Sequence, residues 1–152
     1  MCPSEGCGNS GELLKISFLC YESLSFSTGV LASPNFPNLY PNTTAQTHIL
    51  RVEEGSVLSL QFTAFDVEVN NGTCVDSLTV TDGDGTTLLD ETCGGSTYGH
   101  LVIGGQSKGS LLPTVISRSN IVFIMFTTSD SIARSGWSLT WPVVSSATGD
   151  LG

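Results

Sequence analysis

The sequence predicts an all-β domain, a sandwich or a barrel, and three observations predict it. Apolar and polar residues alternate in several short stretches, turn-forming residues separate those stretches, and no segment carries a 3.6-residue apolar period. The 152 residues are enough for one domain with a real core, and no internal repeat divides them.

Taken in order, residues 1–19 read as an extension, because residues 2–11 are rich in Gly, Ser and Cys and show no period. Residues 20–142 carry the strands. Within them, residues 33–42 form a Pro-rich loop that a central strand excludes. Leu58, Leu60, Phe62 and Ala64 then alternate with Ser59, Gln61 and Thr63, which gives one buried face and one wet face. Leu78 and Val80 alternate with Ser77, Thr79 and Thr81 in the same way, and Trp137, Leu139 and Trp141 alternate with Ser138 and Thr140. Residues 121–126 are apolar throughout, the pattern of a central strand covered on both faces. Glu54-Gly55 and Asp82-Gly83-Asp84-Gly85 are turn signals, the second a hairpin turn rather than an EF-hand loop, since the loop's Gly and closing Glu are missing at their offsets. Residues 143–152 are small and polar and read as a flexible tail.

Fourteen acidic residues stand against five basic ones, a net charge of −9. That balance argues against nucleic acid, whose binders present a basic face, and for a cation or a basic partner. Five cysteines without a Cys-x-x-Cys pair or a zinc-spaced Cys/His cluster point to disulfides and an oxidising compartment. The sequons Asn42-Thr43-Thr44 and Asn71-Gly72-Thr73 fit a secreted, extracellular protein and make Asn42 and Asn71 candidate glycosylation sites. No signal peptide stands out and no stretch approaches the length of a membrane span, so the chain reads as a mature protein or as a piece of a longer one.

Residues 29–41, Gly-Val-Leu-Ala-Ser-Pro-Asn-Phe-Pro-Asn-Leu-Tyr-Pro, resemble the opening of a CUB domain, with Cys20 at the matching distance before Gly29. Further matches follow in order: Leu60-Gln61-Phe62, Phe65-Asp66-Val67-Glu68, Cys74-Val75-Asp76, Val80-Thr81-Asp82-Gly83, Cys93-Gly94, Ser117-Arg118-Ser119-Asn120, residues 126–131 and Gly136-Trp137. The resemblance covers residues 20–141 and implies a jelly-roll-like sandwich of two antiparallel sheets.

In calcium-binding members of that family three acids from different loops meet on one Ca²⁺, and a tyrosine before proline supports them. The matching residues are Glu68, Asp76 and Asp130, with Tyr40 in support. The chemistry is sound, since Ca²⁺ takes six to eight oxygen ligands from carboxylates, carbonyls and water. Three carboxylates against two positive charges leave about one negative charge, enough to draw a Lys or Arg of a partner. The implied function is a non-catalytic extracellular module that holds a basic side chain of another protein at its calcium site.

The resemblance also implies a Cys74–Cys93 bridge. The family's first bridge would join Cys20 to position 46, where Gln46 stands, and the Trp two residues later is His48. Cys20 is then expected to pair with Cys7 or Cys2, leaving one cysteine over. Catalysis finds no foothold: no Gly-x-Ser-x-Gly elbow, His-Glu-x-x-His or phosphate loop occurs. His48 reads as a strand residue and His100 as a loop residue. Two other readings accompany the first, a self-assembling structural protein, suggested by the odd cysteine, and a carbohydrate-binding CUB of the spermadhesin type.

Overall fold

Each stretch of alternation becomes a strand in the computed structural model, which describes residues 14–16, 19–24 and 29–145. The strands are β1 (Leu14–Ile16), β2 (Leu19–Leu24), β3 (Val30–Ala32), β4 (Ala45–Arg51), β5 (Ser56–Val67), β6 (Val69–Asn70), β7 (Thr73–Cys74), β8 (Ser77–Asp82), β9 (Thr87–Gly95), β10 (His100–Ile103), β11 (Gln106–Lys108), β12 (Thr114–Ile116), β13 (Ile121–Thr127), β14 (Gly136–Thr140) and β15 (Val143–Ser145). No helix occurs among the described residues.

The strands form a two-layer, jelly-roll-like sandwich. One layer runs β1-β2-β4-β13-β8-β9, and the other runs β5-β14-β3 with β12 and β15 also paired to β5. β9 joins the layers: Leu89 and Thr92 face β8 across the ladder, while Gly94 and Gly95 pair with Val67 and Asp66 of β5. A Cβ at Gly95 would run into the Phe65 carbonyl, and its φ of 119° is one that other residues rarely adopt, so the crossing demands glycine. All pairings are antiparallel except β2 with β4, where Tyr21 lies opposite Thr47. Cys20 and Gln46 each come one residue before that first rung, so the strand pair that the family's first bridge would staple forms with glutamine in place of one cysteine.

Between the layers sit Leu50, Leu58, Leu60, Leu78, Val80, Ile124, Phe126, Trp137 and Leu139, all buried. Trp137 reaches across: its ring meets Phe126 edge-on at 5.8 Å and His48 at 6.3 Å, both from the facing layer. Edge-to-face pairs of this kind add about 0.5–1.5 kcal/mol beyond area burial.

Four local expectations change. β13 is central in its sheet, but only one face is covered; Val122, Ile124 and Phe126 are buried while Met125 is 37% exposed. Each sheet of a two-layer sandwich has one partner layer, and a run of apolar residues does not add another. His100 opens a strand, paired with Gly95, rather than lying in a loop. Val143–Ser145 is not part of a loose tail: it extends the edge of β5, Val143 opposite Leu58, because the twelve-residue β5 outruns β14. Within the extension, Leu14–Ile16 pairs with β2. Residues 1–13 lie outside the described residues, and with them the pairing of Cys20 to Cys7 or Cys2. The Cys74–Cys93 bridge is present, Cα atoms 5.5 Å apart.

Candidate functional site

Three segments meet at one end of the sandwich: the loop between β3 and β4, the β6–β7 hairpin with its flanks, and the loop after β13. The first is fixed to β14. Ser33 Oγ accepts from the Trp137 N–H at 3.0 Å, the Ser33 N–H donates to the Trp137 carbonyl at 2.9 Å, and the Tyr40 N–H donates to the Arg134 carbonyl at 3.0 Å. Gly136 permits this approach, because its φ is 90° and a Cβ there would strike Ser33 Oγ. The Gly-Trp pair read in the sequence is therefore a packing device: glycine admits the loop and tryptophan fills the core.

The second segment is a tight hairpin. Asn71-Gly72 is a favoured two-residue turn between β6 and β7, and it sets Glu68 and Asp76 at the hairpin's two ends. The N–H groups of Val75 and Asp76 both donate to the Glu68 carbonyl at 3.3 Å. The two acids are thereby adjacent, and both are buried, Asp76 at 1% exposure and Glu68 at 5%.

Tyr40 links them. Its hydroxyl donates to Asp76 Oδ2 at 2.6 Å and accepts from the Glu68 N–H at 3.0 Å. Burial and the bond to Asp76 push the phenol far above its ordinary range, so it stays a donor at any physiological pH. The third segment supplies the remaining partners: the Ser129 N–H donates to Asp76 Oδ1 at 2.7 Å, and Ser131 Oγ donates to Glu68 Oε1 at 2.9 Å. In the sequence Ser129 and Ser131 are two letters of the stretch 126–131, and their contacts depend on how the loop folds back.

Asp130 sits between those serines with its side chain exposed, in no hydrogen bond among the described residues. The expected trio is thus on one loop cluster, but as a buried pair plus an outlying third acid. Among the described residues no three His, Cys, Asp or Glu side chains stand together as a metal cage.

Would Ca²⁺ suit this donor set? Two buried acids share one hydrogen-bond network, and neither has an ion-pair partner among the described residues. Burying a charge is costly without a counter-charge, so a cation improves the site. Every side-chain donor at the site is oxygen, the preference of a hard divalent ion. The residues fit.

Other sequence candidates fall elsewhere. Asp66, in the motif beside Glu68, accepts from the Thr97 hydroxyl at 2.6 Å and the Thr97 N–H at 3.0 Å, fastening the loop after β9. His48 lies inside β4, where burial lowers its imidazole to about 4 and keeps it neutral. His100 Nδ1 lies 3.2 Å from the Tyr98 carbonyl. Asn42 and Asn71 are both exposed.

The CUB domain family model matches residues 20–141. The chain is 30% identical over 146 residues to human cubilin, covering 94% of this chain and 4% of cubilin. It is 29% identical over 144 residues to human neuropilin-1, covering 90% of this chain and 14% of that protein. Among solved structures, the CUB1-EGF-CUB2 domains of rat MASP-1 superpose with a TM-score of 0.66 at 24% identity, over 82% of this chain and 42% of theirs. The MASP-1 CUB2 domain bound to Ca²⁺ gives 0.61 at 22% identity, over 80% of this chain and 96% of its own. The chain spans a small part of the curated relatives it matches.

Proposed function

This chain belongs to the CUB domain family, and we propose that it is a non-catalytic extracellular module that binds Ca²⁺ through Glu68, Asp76 and Asp130 and there holds a lysine or arginine of a partner protein. One observation carries the reading: Glu68 and Asp76 are both buried in one network tied through Tyr40, Ser129 and Ser131, with no counter-charge among the described residues. Support also comes from a fold neighbour, the MASP-1 CUB2 domain, described as bound to Ca²⁺. The relatives cubilin and neuropilin-1, together with the Cys74–Cys93 bridge, favour an extracellular setting.

When bound, Ca²⁺ would supply the missing positive charge and fix the three loops. The chain's own residues do the rest. Tyr40 holds Asp76 and the Glu68 backbone in one geometry, and the serines orient the loop on which Asp130 projects into solvent. Three carboxylates around a divalent cation keep about one negative charge, and a basic side chain can reach the lone pairs that remain on the carboxylate oxygens, those of exposed Asp130 first, by charge-assisted hydrogen bonds.

Calorimetric titration with CaCl₂ tests the reading. We expect binding in the millimolar range or tighter, the regime of extracellular modules, and clear weakening in Asp130→Ala. No heat at several millimolar Ca²⁺, or an Asp130→Ala variant identical to the parent, removes it.

A further inference from the structure

We propose that an N-linked glycan on Asn42 controls the access of a macromolecular partner to the Glu68–Asp76 site; this rests on the reading of that site as a partner-binding one. The two sequons are not scattered. Asn42-Thr43-Thr44 lies on the loop that carries Tyr40, and Asn71-Gly72-Thr73 is the turn between Glu68 and Asp76. Both asparagines are exposed, and neither side-chain amide is in a hydrogen bond among the described residues.

The two positions differ in what they border. Around Asn42 the backbone is bound to the loop after β13. The Thr43 N–H donates to the Ser129 carbonyl at 2.7 Å, the Thr44 N–H to Thr128 Oγ1 at 2.8 Å, and Thr128 Oγ1 to the Pro41 carbonyl at 3.0 Å. Asn42 is therefore held against the segment in which Asp130 projects and Ser131 grips Glu68. Asn71 is displaced by two ladder rungs, Val69–Cys74 and Asn70–Thr73, which puts it about 10 Å beyond the acids at the strand rise. A glycan is bulky and hydrated, so at Asn42 it overhangs the rim of the site, whereas at Asn71 it starts from the far end of a hairpin. An ion passes such a screen, and a macromolecule, whose bulk must come up to the rim, is held off.

The modification itself is ordinary secretory chemistry. Asn42 Nδ2 forms a bond to C1 of the first N-acetylglucosamine of a lipid-diphosphate-linked oligosaccharide. The C1–oxygen bond to the diphosphate breaks, the lipid diphosphate leaves, and Nδ2 gives up one proton.

The test uses the full chain secreted from eukaryotic cells with high-mannose glycans, in four forms: intact, trimmed to a single sugar by an endoglycosidase, Asn42→Gln and Asn71→Gln. Intact mass reads occupancy. Calorimetry reads Ca²⁺, and the chelator-sensitive part of poly-L-lysine binding reads access by a basic macromolecule. We expect Asn42 occupied, Ca²⁺ affinity equal in all forms, and poly-L-lysine binding about tenfold weaker for the intact and Asn71→Gln forms than for the trimmed and Asn42→Gln forms. Unmodified Asn42, or equal poly-L-lysine binding in every form that binds Ca²⁺, overturns the gate alone. Absence of both Ca²⁺ and chelator-sensitive poly-L-lysine binding from every form overturns the site reading and the gate with it.

Discussion

Strand β8 runs between two buried aspartates, Asp76 just before its first residue and Asp82 at its last, about 20 Å apart at the strand rise. Asp82 is surrounded by donors. Its Oδ1 accepts from the Arg118 N–H at 2.7 Å and the Ser119 N–H at 3.1 Å, and its Oδ2 from the Asp84 N–H at 3.2 Å. Three backbone dipoles converge on one charge, and no second acid is buried beside it, so that end closes on itself. Asp76 receives one N–H and one phenol and shares its site with buried Glu68. The residue type and the burial are the same; the difference is the ratio of donors to charges. A carboxylate that meets enough donors is a structural cap, and a pair that meets too few is poised for a cation.

The largest effect should come from the closed end. Asp82→Ala takes a charged acceptor from three part-buried N–H groups and should lower stability by about 3 kcal/mol, read by urea unfolding and unchanged by calcium. If calcium rescues it, the ends are not separate.

An acid titration needs clearing before it is assigned to either end. His48 is buried with its imidazole lowered to about 4, against 6.5 for the unfolded chain. The unfolded state then binds the extra proton between those values. The His48 contribution is complete above pH 6.5 and is lost as pH falls toward 4, about 3 kcal/mol in all. His48→Phe should flatten that part of the stability profile, and an unflattened profile assigns the slope to carboxylates.

At the open end, Asp76→Asn keeps the shape and removes one of two neighbouring charges. Stability in chelator should hold or rise slightly. The gain on adding Ca²⁺ at ten times the parent's dissociation constant, about 1.4 kcal/mol, should vanish. Equal calcium-induced shifts in melting temperature for parent and variant would contradict this. The smallest effect belongs to Tyr40→Phe, which takes one hydroxyl from both Asp76 and the Glu68 N–H; a loss of about 1 kcal/mol is expected by urea unfolding.

Much of the closed frame was legible in the sequence because one solvent face enforces alternation, as in β8, where Leu78, Val80 and Asp82 are buried and the residues between them only partly so. Asp82 itself read as a turn letter, since nothing local shows that residues 118 and 119 arrive to bind it. Val143–Ser145 was illegible for a related reason: a three-residue strand has no period, and the unsatisfied edge of β5 decides its pairing. At the open end the family pattern named Glu68, Asp76 and Tyr40, which share one hydrogen-bond network. It did not reveal that Asp130 stands apart, or that Ser129 and Ser131 make the contacts, because loop conformation rather than residue type sets these.

The Cys74–Cys93 bridge has a consequence for where the module can work. Cys74 ends the hairpin that bears both acids, and Cys93 belongs to β9, the strand crossing from layer to layer. With the sulfurs joined, the acid pair is moored to the most constrained part of the framework. In a glutathione-rich cytosol the thiols stay apart, and only hydrogen bonds are left to steady the hairpin. On the extracellular reading proposed above, an oxidising lumen that joins the two sulfurs is also the place where the acid pair gains its covalent anchor.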